Sequence, residues 1–165
     1  MSENTTIITE KKLDLEKRSS IKNLCPWTIS FTLPISGANI LLGADKKTSV
    51  NNQELVTLCE NSNPMFAGIG NGNHARVYIE NEELRKYVGF DSEDGKQKQF
   101  ILTDEECQRI LDYKTFSTFK KHLEESIVAN HEKARIIEFA RKIKLNDYEK
   151  ITEIESFTNI KFKKD

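Results

Sequence analysis

The hydrophobic period of this chain changes once, and the change divides it. Up to about residue 90 the apolar residues alternate or come in short runs. Beyond the charged stretch Asp91-Ser92-Glu93-Asp94-Gly95-Lys96-Gln97-Lys98-Gln99 they recur every third and fourth position. A period of two marks a half-buried strand, and a period near 3.6 marks an amphipathic helix. Strands followed by helices imply an α+β chain. The expected layout is a β-rich module, sandwich- or barrel-like, over 21–90, a linker over 91–99, and a small helical module over 100–165. Residues 1–20 are polar and charged, with Lys and Arg interleaved with acids, and read as a flexible arm that either orders on a partner or stays solvated.

Within the β module the clearest strand is Trp27-Thr28-Ile29-Ser30-Phe31-Thr32-Leu33. Strict alternation turns Trp27, Ile29, Phe31 and Leu33 inward, and Pro26 and Pro34 bracket it where a ladder starts and stops. Further strands are expected at 39–43 and 48–50, then a helix at 52–60, capped by Asn51 with Glu54 completing a capping box. The stretch 65–90 holds three glycines in five residues, Gly68, Gly70 and Gly72. It reads as a hairpin, with strands at 65–68 and 74–81 around the Asn71-Gly72 turn, because that pair tolerates the positive φ of a type I′ turn. Ala75, Val77 and Ile79 then share the inner face; His74, Arg76, Tyr78 and Glu80 share the outer one. Asn81 caps a helical turn that closes at Gly89.

In the helical module Thr103 caps a first helix over 104–113, with Glu106 completing its capping box. Thr115 caps a second, to about 129, with Phe116, Phe119, Leu123 and Ile127 as its stripe. Asn130 opens a third. Asn146 caps a fourth, with Tyr148, Ile151 and Ile154 turned inward, and Ile160 and Phe162 dock the tail.

Composition bounds function more by exclusion. Twenty-five Lys and Arg balance 26 Asp and Glu, so no global field draws the chain to nucleic acid or to an anionic membrane. Nine Phe and four Tyr supply bulk for a core. Three cysteines, Cys25, Cys59 and Cys107, are far apart and form no CxxC, which points to buried thiols rather than a disulfide framework or zinc site. The first ten residues carry no signal-peptide pattern and no stretch is apolar enough to span a membrane, so the chain is expected to be soluble and cytosolic, or to act after release from a cytosol.

The run Gly68-Ile69-Gly70-Asn71-Gly72 invites a phosphate-loop reading, but a dinucleotide fingerprint needs a helix after it, and a strand is expected there. HExxH is absent: His131 opens His131-Glu132-Lys133-Ala134-Arg135. His122 and His131 read as exposed residues near helix ends. No GxSxG occurs. A helix-turn-helix in the last two helices would carry four acids against one Lys at 147–155, which repels phosphate. The outward row His74, Arg76, Tyr78 and Glu80 fits a solvated face, a protein-binding face, since Tyr and Arg anchor interfaces, or an acid-base site. Strand spacing separates its members by about 7 Å and argues against direct bonds between them. The protein-binding reading is the one carried forward.

Three patches, Asn23-Leu24-Cys25-Pro26-Trp27, Asn73-His74-Ala75-Arg76-Val77-Tyr78-Ile79-Glu80 and Lys144-Leu145-Asn146-Asp147-Tyr148, resemble small accessory or virion-associated proteins of tailed phages of low-GC bacteria. The resemblance implies a class that works by protein contacts and carries over no functional residue. The resulting expectation is a non-enzymatic protein–protein interaction module, and the resemblance implies a virion structural or accessory component located in a virion or the host cytoplasm, without cofactor or metal, whose partner is another protein or a symmetry mate. The alternatives are a nucleic-acid-binding regulator acting through the C-terminal helices, a phage-encoded inhibitor of a host protein, and a hydrolase or nucleotide-binding factor at the glycine hairpin.

Overall fold

The computed structural model describes residues 13–163, so the first twelve residues of the expected arm lie outside the described residues. The layout is α+β: strands in the N-terminal half form two small sheets, and the C-terminal half is helical. The first strand, β1 (Arg18–Asn23), is the centre of a three-stranded antiparallel sheet. It pairs with β4 (Lys47–Asn51) on one side and β5 (Val77–Ile79) on the other, with Ile21 opposite Thr48 and Ile79. The arm therefore stops short of its expected boundary: residues 18–20 belong to the sheet.

The reason β1 is hard to see is that two of its three inward residues are polar. Ser19, Ile21 and Asn23 point in. Ser19 donates to Asn52 Oδ1 at 2.5 Å and accepts from Asn81 Nδ2 at 3.0 Å. Asn23 is wholly buried; its Nδ2 donates to the Trp27, Leu42 and Gly43 carbonyls, and its Oδ1 accepts from Cys25 N. Burial of these amides is tolerated because each finds its partners.

Asn23 thereby fastens the base of the second sheet, the hairpin of β2 (Ile29–Thr32) and β3 (Asn39–Leu42), in which Phe31 faces Ile40. Ile29, Phe31 and Leu33 turn inward as expected, but Trp27 lies before the strand and is 43% exposed. The hairpin tip is fastened too. Glu54 sits on α1 (Asn52–Glu60), whose cap is Asn51. Its carboxylate leaves the capping box and accepts instead from Ile35 N at 2.9 Å and Ser36 N at 2.7 Å. Burial opposes the charge on Glu54, but these two amides and the Ser36 hydroxyl outweigh it and hold the carboxyl below its ordinary range.

The expected strand at 65–68 is instead a short helix, α2 (Pro64–Ala67). Asn63 caps it through Met65 N, and Pro64 occupies its first turn, where a missing N–H costs nothing. Asn71 and Gly72 do have positive φ, 53° and 76°, but they belong to a coiled loop over 68–76 rather than to a hairpin turn. The return strand is only β5, and its partner is β1. Asn81 caps α3 (Glu82–Tyr87) as expected. Phe66, fully buried, meets Phe31 edge-on at 5.2 Å, joining both sheets, α1 and α2 in one core with Ile21, Leu55, Ile79 and Leu84.

The helices are α4 (Asp104–Leu111), α5 (Phe116–Ser126), α6 (Asn130–Lys142) and α7 (Tyr148–Thr158). Thr103 and Thr115 cap the first two through Glu106 N and Thr118 N. Glu106 turns to Arg109 rather than back to the cap. The last cap is Asp147, one residue after the expected Asn146, and this shift leaves Tyr148 outside, 82% exposed. Phe116 is likewise 39% exposed, while Phe119, Leu123 and Ile127 fill the interior. They form a second core with Ile110, Ile136 and Ile154 that shares no buried residue with the first. Arg141 binds the Lys161 and Phe162 carbonyls and holds the tail down. Among the described residues no helix is long and apolar enough to cross a membrane.

Candidate functional site

The row His74, Arg76, Tyr78 and Glu80 does not survive as one face. His74 precedes β5 with φ 60°, a left-handed backbone uncommon for histidine, and this turns its ring away from the sheet toward the helical module. There Nδ1 meets the carboxylate of Glu132, 2.7 and 2.8 Å from its two oxygens, across 58 residues of sequence. The Phe100 ring lies 4.8 Å from the imidazole. The His74 side chain is only 10% exposed and that of Glu132 is not exposed at all, so His74 is occupied inside the protein rather than offered to a partner.

Glu132 does two jobs. It is the third residue of α6, whose cap position is Ala129 and offers no side-chain acceptor. Its Oε1 reaches back to accept Val128 N at 3.1 Å and Ala129 N at 3.0 Å, so the carboxylate closes the helix end and binds His74 at once. A glutamate at this position is a recognisable helix-start signal; its pairing with His74 has no local signature.

His131, expected at the surface, is 3% exposed. Its Nδ1 has no hydrogen-bond partner among the described residues. Burial lowers its pKa, Arg76 and His74 push the same way, and Glu132 and the Ala75 carbonyl oppose them. A histidine held neutral in the fold must be charged as it unfolds in acid, so the folded pKa lies below the unfolded one. This contribution to stability is full above about pH 6.5 and is lost as pH falls toward the lowered value. Urea midpoints measured from about pH 7.5 to about pH 5 should fall, and substituting His131 with Gln should flatten that slope. An unchanged slope in that variant would assign the acid sensitivity to another group.

Tyr78 and Glu80 line a trough between the two cores, and Arg76 does not. Tyr78 is half-buried with the Arg85 guanidinium 4.9 Å from its ring centre, and burial raises its pKa against that cation. Arg85 itself is held by Asp91 at 3.0 Å and by the Ile79 carbonyl at 2.7 Å. Glu80 binds Lys47 Nζ and Ser20 Oγ, each at 2.8 Å, and these bonds hold its carboxyl below its ordinary range. Arg76 is exposed and its carbonyl accepts Leu24 N. Opposite, Arg135 of α6 reaches over the Leu24 carbonyl to Asp45 and Asp104.

No His, Cys, Asp and Glu cluster able to hold a metal ion is present among the described residues. The thiols are buried, and burial pushes Cys25 to about 11 and Cys59 and Cys107 to about 12, so they stay protonated and poorly nucleophilic at neutral pH.

The remaining surface feature is the β2–β3 hairpin, which neither sequence pattern nor charge singled out. It is fastened at its base by Asn23 and at its tip by Glu54, and it pairs with no further strand among the described residues. It also carries exposed apolar residues along its length: Trp27 at the base, Leu41 (72% exposed) opposite Ser30, and Ile35 (56%) at the tip. No protein family, curated protein or solved structure matches this chain.

Proposed function

We propose that this chain is a non-enzymatic protein-interaction module that docks through the β2–β3 hairpin. The observation that carries the reading is a two-stranded ribbon whose edges pair with no further strand among the described residues, fastened at both ends, with Leu41 projecting from its outer face. A free edge accepts an extended segment of a partner through main-chain bonds, and side chains on the added face give selectivity. Because both ends are already fixed, little ordering entropy is lost when the partner binds. The patches that resemble phage accessory proteins make a virion structural protein the first partner to try, and a second copy of the chain is the competing occupant.

Leu41→Glu and Ile35→Asp, combined, should abolish capture of the partner while changing stability by no more than about 0.5 kcal/mol, as surface substitutions do. Tyr148→Ser, remote on α7, should leave capture intact. Retention by the hairpin variant and loss by Tyr148→Ser would move the docking surface to the helical module.

A further inference from the structure

Arg135 is a mostly buried cation held only by long contacts. Its side chain is only 17% exposed, yet its acceptors all stand off: Leu24 O at 3.5 Å, Asp45 Oδ1 at 3.4 Å and Asp104 Oδ1 at 3.3 Å. Its Nε is buried with no partner among the described residues. A guanidinium on a carboxylate normally closes to about 2.7–2.9 Å. A guanidinium removed from water and held only by long contacts has bonding capacity left for another acceptor.

Arg135 also borders the trough on both sides. One cleft of about 310 Å³ and a neighbouring one of about 300 Å³ both include it with Asp104, Lys22 and Leu24. The volume suits a small molecule, at the low end for ligand sites. The first cleft balances its charges: Lys22, Arg135 and Lys142 against Asp45, Asp104 and Glu138. Three cations against three acids leave no net field to favour a phosphate, an acidic peptide or a polyamine, since each is repelled by half of the lining charges. A molecule carrying both signs at short range meets neither penalty. Leu24 and Phe139 supply an apolar wall in the same cleft.

We propose that the intermodule cleft binds a free α-amino acid with an apolar side chain. Its carboxylate takes the Nη donors of Arg135 in place of the long aspartate contacts. The freed carboxylates of Asp45 and Asp104, with Glu138, accept from its ammonium group. The side chain lies against Leu24 and Phe139. The ligand contacts the β1 and β3–β4 side of the cleft as well as α4 and α6, so binding draws the two modules together.

The test uses the full chain and titrates leucine, methionine, valine and phenylalanine by calorimetry, with thermal melting alongside. At least one should bind with a stoichiometry of one and raise the melting temperature, as any ligand selective for the folded state does. N-acetyl-leucine and leucinamide, each lacking one charge, should bind about tenfold or more weaker, the usual loss for a charge-assisted bond. Arg135→Lys should weaken the free amino acid by a similar factor. That residue also ties the modules together, so Asp45→Asn is the second variant: Asp45 is 58% exposed and its replacement leaves both cores untouched. It should weaken the free amino acid but not the N-acetyl form. The proposal is overturned if none of the four produces heat or a melting shift, if the blocked forms bind as well as the free ones, or if Asp45→Asn binds the free amino acid unchanged.

Discussion

Replacing Glu132 by alanine is expected to destabilise the protein by about 2–4 kcal/mol, the loss expected when one buried carboxylate that holds three donors is removed. The argument rests on how many groups lose their acceptor at once. His74 Nδ1 and the amides of Val128 and Ala129 all terminate on this one carboxylate, which is not exposed to water. Alanine removes the acceptor from all three; the His74 nitrogen, on a side chain only 10% exposed, bears the larger share at about 1–3 kcal/mol, and the amides of exposed Val128 and half-buried Ala129 cost less because water can reach them. It also opens the start of α6, which has no other side-chain cap. Glu132→Gln keeps an acceptor oxygen for the two amides but loses the charge beside His74, so its effect should be clearly smaller. Urea unfolding of both variants measures this, and a cycle with His74→Ala isolates the pair. Equal losses for Gln and Ala would mean that the negative charge on Glu132, not its bonds to the helix start, carries the whole effect.

Gly68→Ala is expected to cost roughly 3–5 kcal/mol, from backbone strain together with overpacking. Gly68 ends α2 with φ 59° and ψ −129°, a conformation that side chains other than hydrogen rarely adopt. A Cβ there would also sit 2.0 Å from the Asn73 carbonyl oxygen and 2.9 Å from Ala75 N. These are backbone atoms and cannot swing aside. The same loop sets the left-handed turn at His74, so the substitution should disturb the Glu132 contact as well. Gly70→Ala is the control: its φ is also positive, at 133°, but a Cβ meets nothing within 4 Å. It should cost less, about 1–3 kcal/mol, from backbone strain alone. Thermal melts of the two variants side by side separate steric collision from strain alone, and similar losses would refute the collision.

These two positions also mark where sequence reading succeeds and where it stops. Helix starts were legible because a cap is a local bond: Asn51, Asn81, Thr103 and Thr115 each accept an amide two or three residues ahead. The change of hydrophobic period separated strands from helices for the same reason, since each element shows its own inward face. β1 escaped because Ser19 and Asn23 fill two of its inward positions, and their partners Asn52, Asn81 and the hairpin carbonyls are distant in sequence. The glycine loop misled because Asn71-Gly72 has the dihedral preference of a hairpin turn, while Asn63-Pro64 just before it commits the chain to a helical turn. The row at 74–80 assumed a strand long enough to alternate, and β5 has three residues. His74 was placed on an outward strand face, but its ring turns to a carboxylate 58 residues away in sequence, a contact that no local pattern announces. Both strands of the β2–β3 hairpin were legible, but its exposed face was not: Leu41 sits among apolar neighbours, and only pairing with β2 reveals that it faces out.

Docking through that hairpin is tested most directly by placing a photo-crosslinking residue at position 41 of the full chain and irradiating the cells that make it. A matched protein carries the same group at position 148, which is exposed to a similar degree on α7. The account predicts one dominant protein adduct from position 41, mapped to an extended segment of the partner, and none of comparable yield from position 148. An adduct of two copies of this chain would make the partner a symmetry mate. No adduct from position 41, or the same adduct in equal yield from position 148, would contradict docking at the β2–β3 hairpin.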